Sequence, residues 1–127
     1  MKRIILFIFL LNGTYSLKSQ TVIKMKREGG ISLIPCRVNG LNLDFIFDTG
    51  ASDVSISMTE ATFMLKNGYL NRTDITGTNN YFDATGNLNE GIIIFLKEIE
   101  IAGLKLYNVK ASIVKNNRAP LLLCALR

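Results

Sequence analysis

The sequence predicts an all-β domain with one short helix, curled into a partly closed barrel or a sandwich. Three observations point there. Apolar residues come in short runs bounded by turn signals rather than at helical spacing. Asn39-Gly40 and Ala102-Gly103 each sit between two such runs, where a hairpin needs its turn. Only the stretch opening at Ser57 carries helix-start chemistry. With 127 residues, 48% hydrophobic and 20% charged, the chain has the material for one globular core, not two.

The elements follow in order. Residues 1–20 read as a signal peptide, leaving 21–127 as the domain. Met1-Lys2-Arg3 is basic, Ile4 to Leu11 is unbroken and apolar, Asn12-Gly13 ends the run, and Thr14-Tyr15-Ser16 offers small residues at a cut. The run is well short of the ~20 apolar residues that span a bilayer. An exported domain, periplasmic or secreted and without a stable membrane anchor, is therefore expected. Losing Lys2, Arg3 and Lys18 lowers the formal charge from +5 to about +2 or +3, ordinary for a small domain, so no nucleic-acid partner is expected. Lys24, Lys26 and Arg27 read as a solvated strand edge.

Thr21 to Lys26 alternates weakly, and Ile31 to Val38 is an apolar strand whose Pro35 suits an edge. Leu41 to Phe47 follows the Asn39-Gly40 turn and stops at Asp48-Thr49-Gly50. Val54 to Ile56 is short and apolar. Ser57-Met58-Thr59-Glu60 fits a capping box, with Glu60 reaching back to the N-cap. The helix runs to about Asn67, Gly68 stops it, and Ala61, Met64 and Leu65 form its buried side. Arg72 to Thr78 leads into a polar, glycine-containing stretch, Asn79 to Gly91. Ile92 to Ile101 and Leu104 to Val114 then form a long hairpin, with Ile99, Ile101, Leu104, Leu106 and Val109 as apolar partners. Cys36 and Cys124 either pair or stay buried as thiols; sequence alone leaves both open.

With 0 His, nucleophile–imidazole pairs and imidazole-bound metals are excluded, and 2 Cys rule out a four-thiolate zinc site in one chain. No cofactor is called for. The remaining chemistry rests on carboxylates and hydroxyls. The candidate is Asp48-Thr49-Gly50-Ala51-Ser52, a carboxylate where an apolar strand runs out into a tight turn. The tripeptide alone is an ordinary Asp turn. Its context, apolar strand before and Val54, Ile56 and a helix after, favours a site.

From Leu43 to Ile56, through Phe47-Asp48-Thr49-Gly50-Ala51-Ser52-Asp53-Val54, the sequence resembles the retropepsin-like aspartic proteases, in particular exported bacterial members. The helix near Thr59-Glu60-Ala61 and the late triplet Leu121-Leu122-Leu123 extend the likeness over Val22 to Leu123. The resemblance implies a peptide hydrolase with Asp48, Thr49 and Gly50 as catalytic residues. It also implies Ala51, Ser52 and Asp53 as the floor that binds peptide, and a flap tipped by Ala84, Thr85 and Gly86. Such chemistry needs two carboxylates sharing one proton. Asp74-Ile75-Thr76-Gly77 and Asp83-Ala84-Thr85-Gly86 each carry an extra residue and no apolar strand before them. The second Asp48 must then come from another copy, making the expected active form a homodimer.

Two features depart from that pattern: Cys124 where glycine usually follows the hydrophobic pair, and a short C-terminus after it. They keep a second reading open, a degenerate, non-catalytic β-domain that binds peptides or acts as a scaffold. A third reading, Mg²⁺ or Ca²⁺ held by Asp44, Asp48 and Asp53, conflicts with the apolar neighbours of that strand face.

Overall fold

A computed structural model describes residues 20–51, 53–83, 85–115 and the backbone of 122–124. The expected signal peptide lies outside the described residues. The described residues form eight strands, β1 (Lys26–Glu28), β2 (Ile31–Val38), β3 (Leu41–Asp48), β4 (Val54–Ser57), β5 (Ile75–Phe82), β6 (Leu88–Ile101), β7 (Leu104–Val114) and β8 (Leu122–Cys124), with one α-helix, α1 (Met58–Lys66), and a single 3-10 turn (Arg72–Asp74). Their order in the sheet is β1-β2-β3-β8-β4-β7-β6-β5. A further β2–β6 pairing, Arg37 with Glu100 and Val38 with Ile99, brings the sheet back on itself. The result is a partly closed barrel with β1 and β5 as outlying strands.

Local chemistry explains most joins. Asn39 and Gly40 take φ of 49° and 92°, the left-handed pair that matches strand twist in a tight hairpin. Asn39 does more than turn the chain. Its N–H donates to Glu98 O at 2.9 Å, its amide donates to Tyr69 O at 2.7 Å, and its Oδ1 accepts from Glu98 N at 3.0 Å. Pro35 lies between the β1-paired part of β2 (Ile31 to Leu33) and the β6-paired part (Arg37, Val38), where β3 is its only neighbour. A residue without an N–H is tolerated in that gap.

The core lies between the inner sheet faces and α1. Phe45, Val38, Ile56, Met64, Ile94, Leu96 and Ile99 are fully buried there. Truncating Phe45 to Ala is expected to cost about 3–5 kcal/mol, the usual range for a large core residue. In β6 the inward side switches between Leu96 and Ile99. The opposing β7 residue, Asn108, has φ 53°, so the β6–β7 ribbon bends there, where β6 stays paired with β7 but exchanges β5 for β2 on its other side.

Several expectations change. The first strand is Lys26–Glu28, not Thr21 to Lys26, because the Gly29-Gly30 turn fixes its register against Ile31 to Leu33. Lys26 is at this edge and pairs with Asp44 at 3.0 Å. The polar stretch Asn79 to Gly91 is mostly strand: β5 continues to Phe82 and β6 begins at Leu88. The capping box is half formed. Ser57 Oγ accepts from Glu60 N at 3.3 Å, but Glu60 Oε2 is buried without a hydrogen bond among the described residues. Leu65 is exposed rather than packed, leaving Ala61 and Met64 as the buried side of α1, and Leu104 is exposed as well. Cys36 is a free thiol whose burial, with Asp44 adding, pushes it up to about 11. Its strand partner Leu43 lies five residues from Asp48, the partner of Cys124. That is roughly 16 Å along the strand, beyond disulfide reach.

Candidate functional site

Strand alternation sets the site. Phe45 points into the core, so Asp44, Ile46 and Asp48 share the other face of β3. Asp48 ends the strand and is exposed. Gly50 N donates to Asp48 Oδ1 at 2.8 Å, and Ala51 N donates to Asp48 O at 3.3 Å, closing the turn. A Cβ at residue 50 would sit 3.3 Å from Asp48 Oδ1. Gly50 is outside the left-handed region, so its value is clearance: it lets a backbone N–H reach the carboxylate without pressing on it.

Register carries this face across the sheet. Ile46 pairs with Leu122, Leu122 with Ser55, Ser55 with Ser112, and Ser112 with Ile93. Laterally paired residues project to the same side. Ile46, Ser55, Ser112 and Ile93 therefore share a face, and Asp48 lies two residues on from Ile46. The opposite side of β4 and β7 is core, with Val54, Ile56, Ala111 and Ile113 buried.

The β5–β6 hairpin extends beyond this wall, with Phe82 paired to Leu88 and a five-residue turn, 83–87, at its tip. Asp83 organises that turn. Its Oδ1 accepts from Thr85 N at 2.9 Å, Thr85 Oγ1 at 2.6 Å and Asn87 N at 3.0 Å. Its Oδ2 accepts from Asn89 Nδ2 at 3.0 Å. These donors, the Thr85 hydroxyl foremost, pull the Asp83 carboxyl down to about 2.

Asp48, Thr49, Gly50 and Ala51 thus form one turn, with Asp53 exposed just before β4. Ser52 and Ala84 lie outside the described residues. Thr85 and Gly86 are in the hairpin tip, a separate part of the sheet. Asp44 is committed to Lys26 and sits about 13 Å along the strand from Asp48, too far to share a metal ion with it. No group of three metal-ligating side chains occurs among the described residues. Sequence reasoning missed Asp83 as the tip's organiser, and Ser55 and Ser112 as members of the Asp48 face. The alternation Val54-Ser55-Ile56 and Ala111-Ser112-Ile113 carried the second signal.

Residues 34–124 match the family described as gag-polyprotein putative aspartyl protease. The chain belongs to that family. Its fold is retropepsin-like: it is similar to a crystal structure of a retropepsin-like aspartic protease from Rickettsia conorii, with TM-score 0.64 and 26% identity over 85% of each chain. No curated protein matches the sequence. In this retropepsin-like domain the matched span includes the whole of the Asp48 turn and the β5–β6 hairpin.

Proposed function

We propose that the protein is an exported aspartic endopeptidase whose active form is a homodimer, with one Asp48 from each copy. The observation that supports this reading most is the Asp48 turn. One backbone N–H of the same turn holds one carboxylate oxygen at the exposed end of a strand. Each chain contributes a single Asp-Thr-Gly. Two such turns meeting on a two-fold axis would bring like charges together, so the pair would share one proton. The ionised Asp48 takes a proton from water as the water oxygen attacks the scissile carbonyl carbon. The protonated Asp48 hydrogen-bonds the carbonyl oxygen, and the proton passed on to the leaving nitrogen completes hydrolysis. Thr49 would bond across the axis, Ala51, Ser52 and Asp53 would hold the peptide backbone, and the hairpin carrying Ala84, Thr85 and Gly86 would close over it.

The test is cleavage of a peptide library at mildly acid pH by the purified domain and by Asp48→Asn, with the oligomeric state measured by sedimentation. The expected result is a dimer whose turnover falls by about 10³-fold or more in the variant. A well-folded monomer without turnover would replace this reading with the non-catalytic one.

A further inference from the structure

The face that carries Asp48 is unusually polar where it crosses β4, β7 and β5. Ser55 is half-buried and Ser112 is buried, although both sit in strands whose other side is aliphatic core. The third member comes from β5. Asn79 pairs with Gly91 of β6, and because Gly91 has no side chain, Asn79 reaches across it. Its Nδ2 donates to Ser112 Oγ at 3.3 Å. A Cβ at residue 91 would meet Asn79 Oδ1 at 2.9 Å, so the glycine is what opens this path. Asn79 Oδ1 is buried without a hydrogen bond among the described residues. Such an acceptor costs stability unless something satisfies it.

We propose that Ser55, Ser112 and Asn79 form a specificity pocket for an uncharged, hydrogen-bonding substrate side chain: Ser, Thr, Asn or Gln. This deepens, and rests on, the reading of the Asp48 face as a peptide cleft. Ser55 lies two strands from β3 and two residues from Asp48 along it, roughly 12 Å, which is three to four residues of extended peptide. The pocket therefore reads a side chain within about three residues of the scissile bond. The chemistry is matched on both sides. Ser112 Oγ already accepts from Asn79, which leaves its hydroxyl proton free to donate. Ser55 can donate or accept, and Asn79 Oδ1 takes a donor after a small turn of its amide. A carboxylate would bring no donor to Oδ1, and an aliphatic side chain would leave Asn79 Oδ1 unpartnered, with only the Asn79–Ser112 bond in place.

The experiment uses peptides in which each of three residues on either side of the cleaved bond is, in turn, Asn, Ser, Leu or Val. Cleavage by the wild-type chain and binding to Asp48→Asn, by fluorescence anisotropy, are measured in parallel. At one position the polar peptides should be favoured by about tenfold, the worth of one net hydrogen bond. Ser55→Val and, as a milder change at the buried site, Ser112→Ala should each erase the preference, with circular dichroism verifying the fold. Cleavage without a polar preference, or a preference that both variants retain, overturns the pocket. No cleavage, but polar-selective binding by Asp48→Asn that Ser55→Val removes, overturns the protease reading and leaves the pocket standing. Neither cleavage nor selective binding overturns both.

Discussion

Two aspartates in this chain open similar sequences, Asp48-Thr49-Gly50 and Asp83-Ala84-Thr85-Gly86, and the structure uses them in opposite ways. Asp83 accepts four hydrogen bonds, from Thr85 N, Thr85 Oγ1, Asn87 N and Asn89 Nδ2. It is a fastener, and its acceptor sites are spent within its own hairpin, on the turn and the start of β6. Among the described residues Asp48 accepts one bond, from Gly50 N, on one oxygen. The turn fixes its direction and leaves its second oxygen outside the turn's own hydrogen bonding. A carboxylate that must exchange protons with a substrate or a twin needs the second arrangement, while a carboxylate that only shapes a loop is better served by the first.

The contrast can be broken experimentally. The largest effect is expected at Asp48. Asp48→Asn should remove cleavage, by about 10³-fold or more, while thermal unfolding stays near wild type, since only one backbone bond in the turn is altered. A large loss of stability would make Asp48 a fastener too. Gly50→Ala should come next. Its Cβ would press on Asp48 Oδ1, and kcat should fall by roughly tenfold to a hundredfold with the fold retained. Asp83→Ala should act the other way round. Amide exchange at Thr85 and Asn87, followed by NMR, should accelerate strongly, and KM should rise more than kcat falls. Asp83→Asn, which keeps one acceptor oxygen, should recover part of the protection.

The smallest effect is the pH response of the tip. The Asp83 carboxyl sits at about 2 in the fold, against an ordinary 3.8. Its contribution is therefore fully present above about pH 4 and is lost as pH falls through about 2. Thr85 and Asn87 amide shifts should hold steady from pH 6 to pH 4 and move only below that. A transition near pH 5 would contradict the fastener role.

Sequence reasoning reached the parts of the molecule whose signals are local. Asn39-Gly40 demands a left-handed turn, and Ser57 caps a helix with its own hydroxyl. Leu43 to Asp48 alternates toward a turn that only a small residue at 50 can close. What it missed depends on partners distant in the chain. β5 reads ITGTNNYF and is largely exposed on both faces, so no alternation reveals it; pairing with β6 makes it a strand. Glu60 had the residue type for a reciprocal cap, yet its buried Oε2 makes no hydrogen bond among the described residues. Asp83 looked like a weaker copy of the Asp48 motif. Its actual partners, Asn87 and Asn89, become neighbours only once the hairpin folds back. The Asp48 face was visible at β3 but could not be followed to Ser55 and Ser112 without the register of four strands.

The short β2–β6 seam has a mechanical consequence. Only two residue pairs join these strands, and the adjoining Asn39 adds bonds to Glu98 and Tyr69. One amide side chain thus staples three separate stretches of chain at the place where the wall is thinnest. If the wall breathes, it should part here first. The earliest leak of solvent into the interior would then enter beside Val38 and Ile99, at a distance from the Asp48 turn, so that the domain could loosen without disturbing its carboxylate.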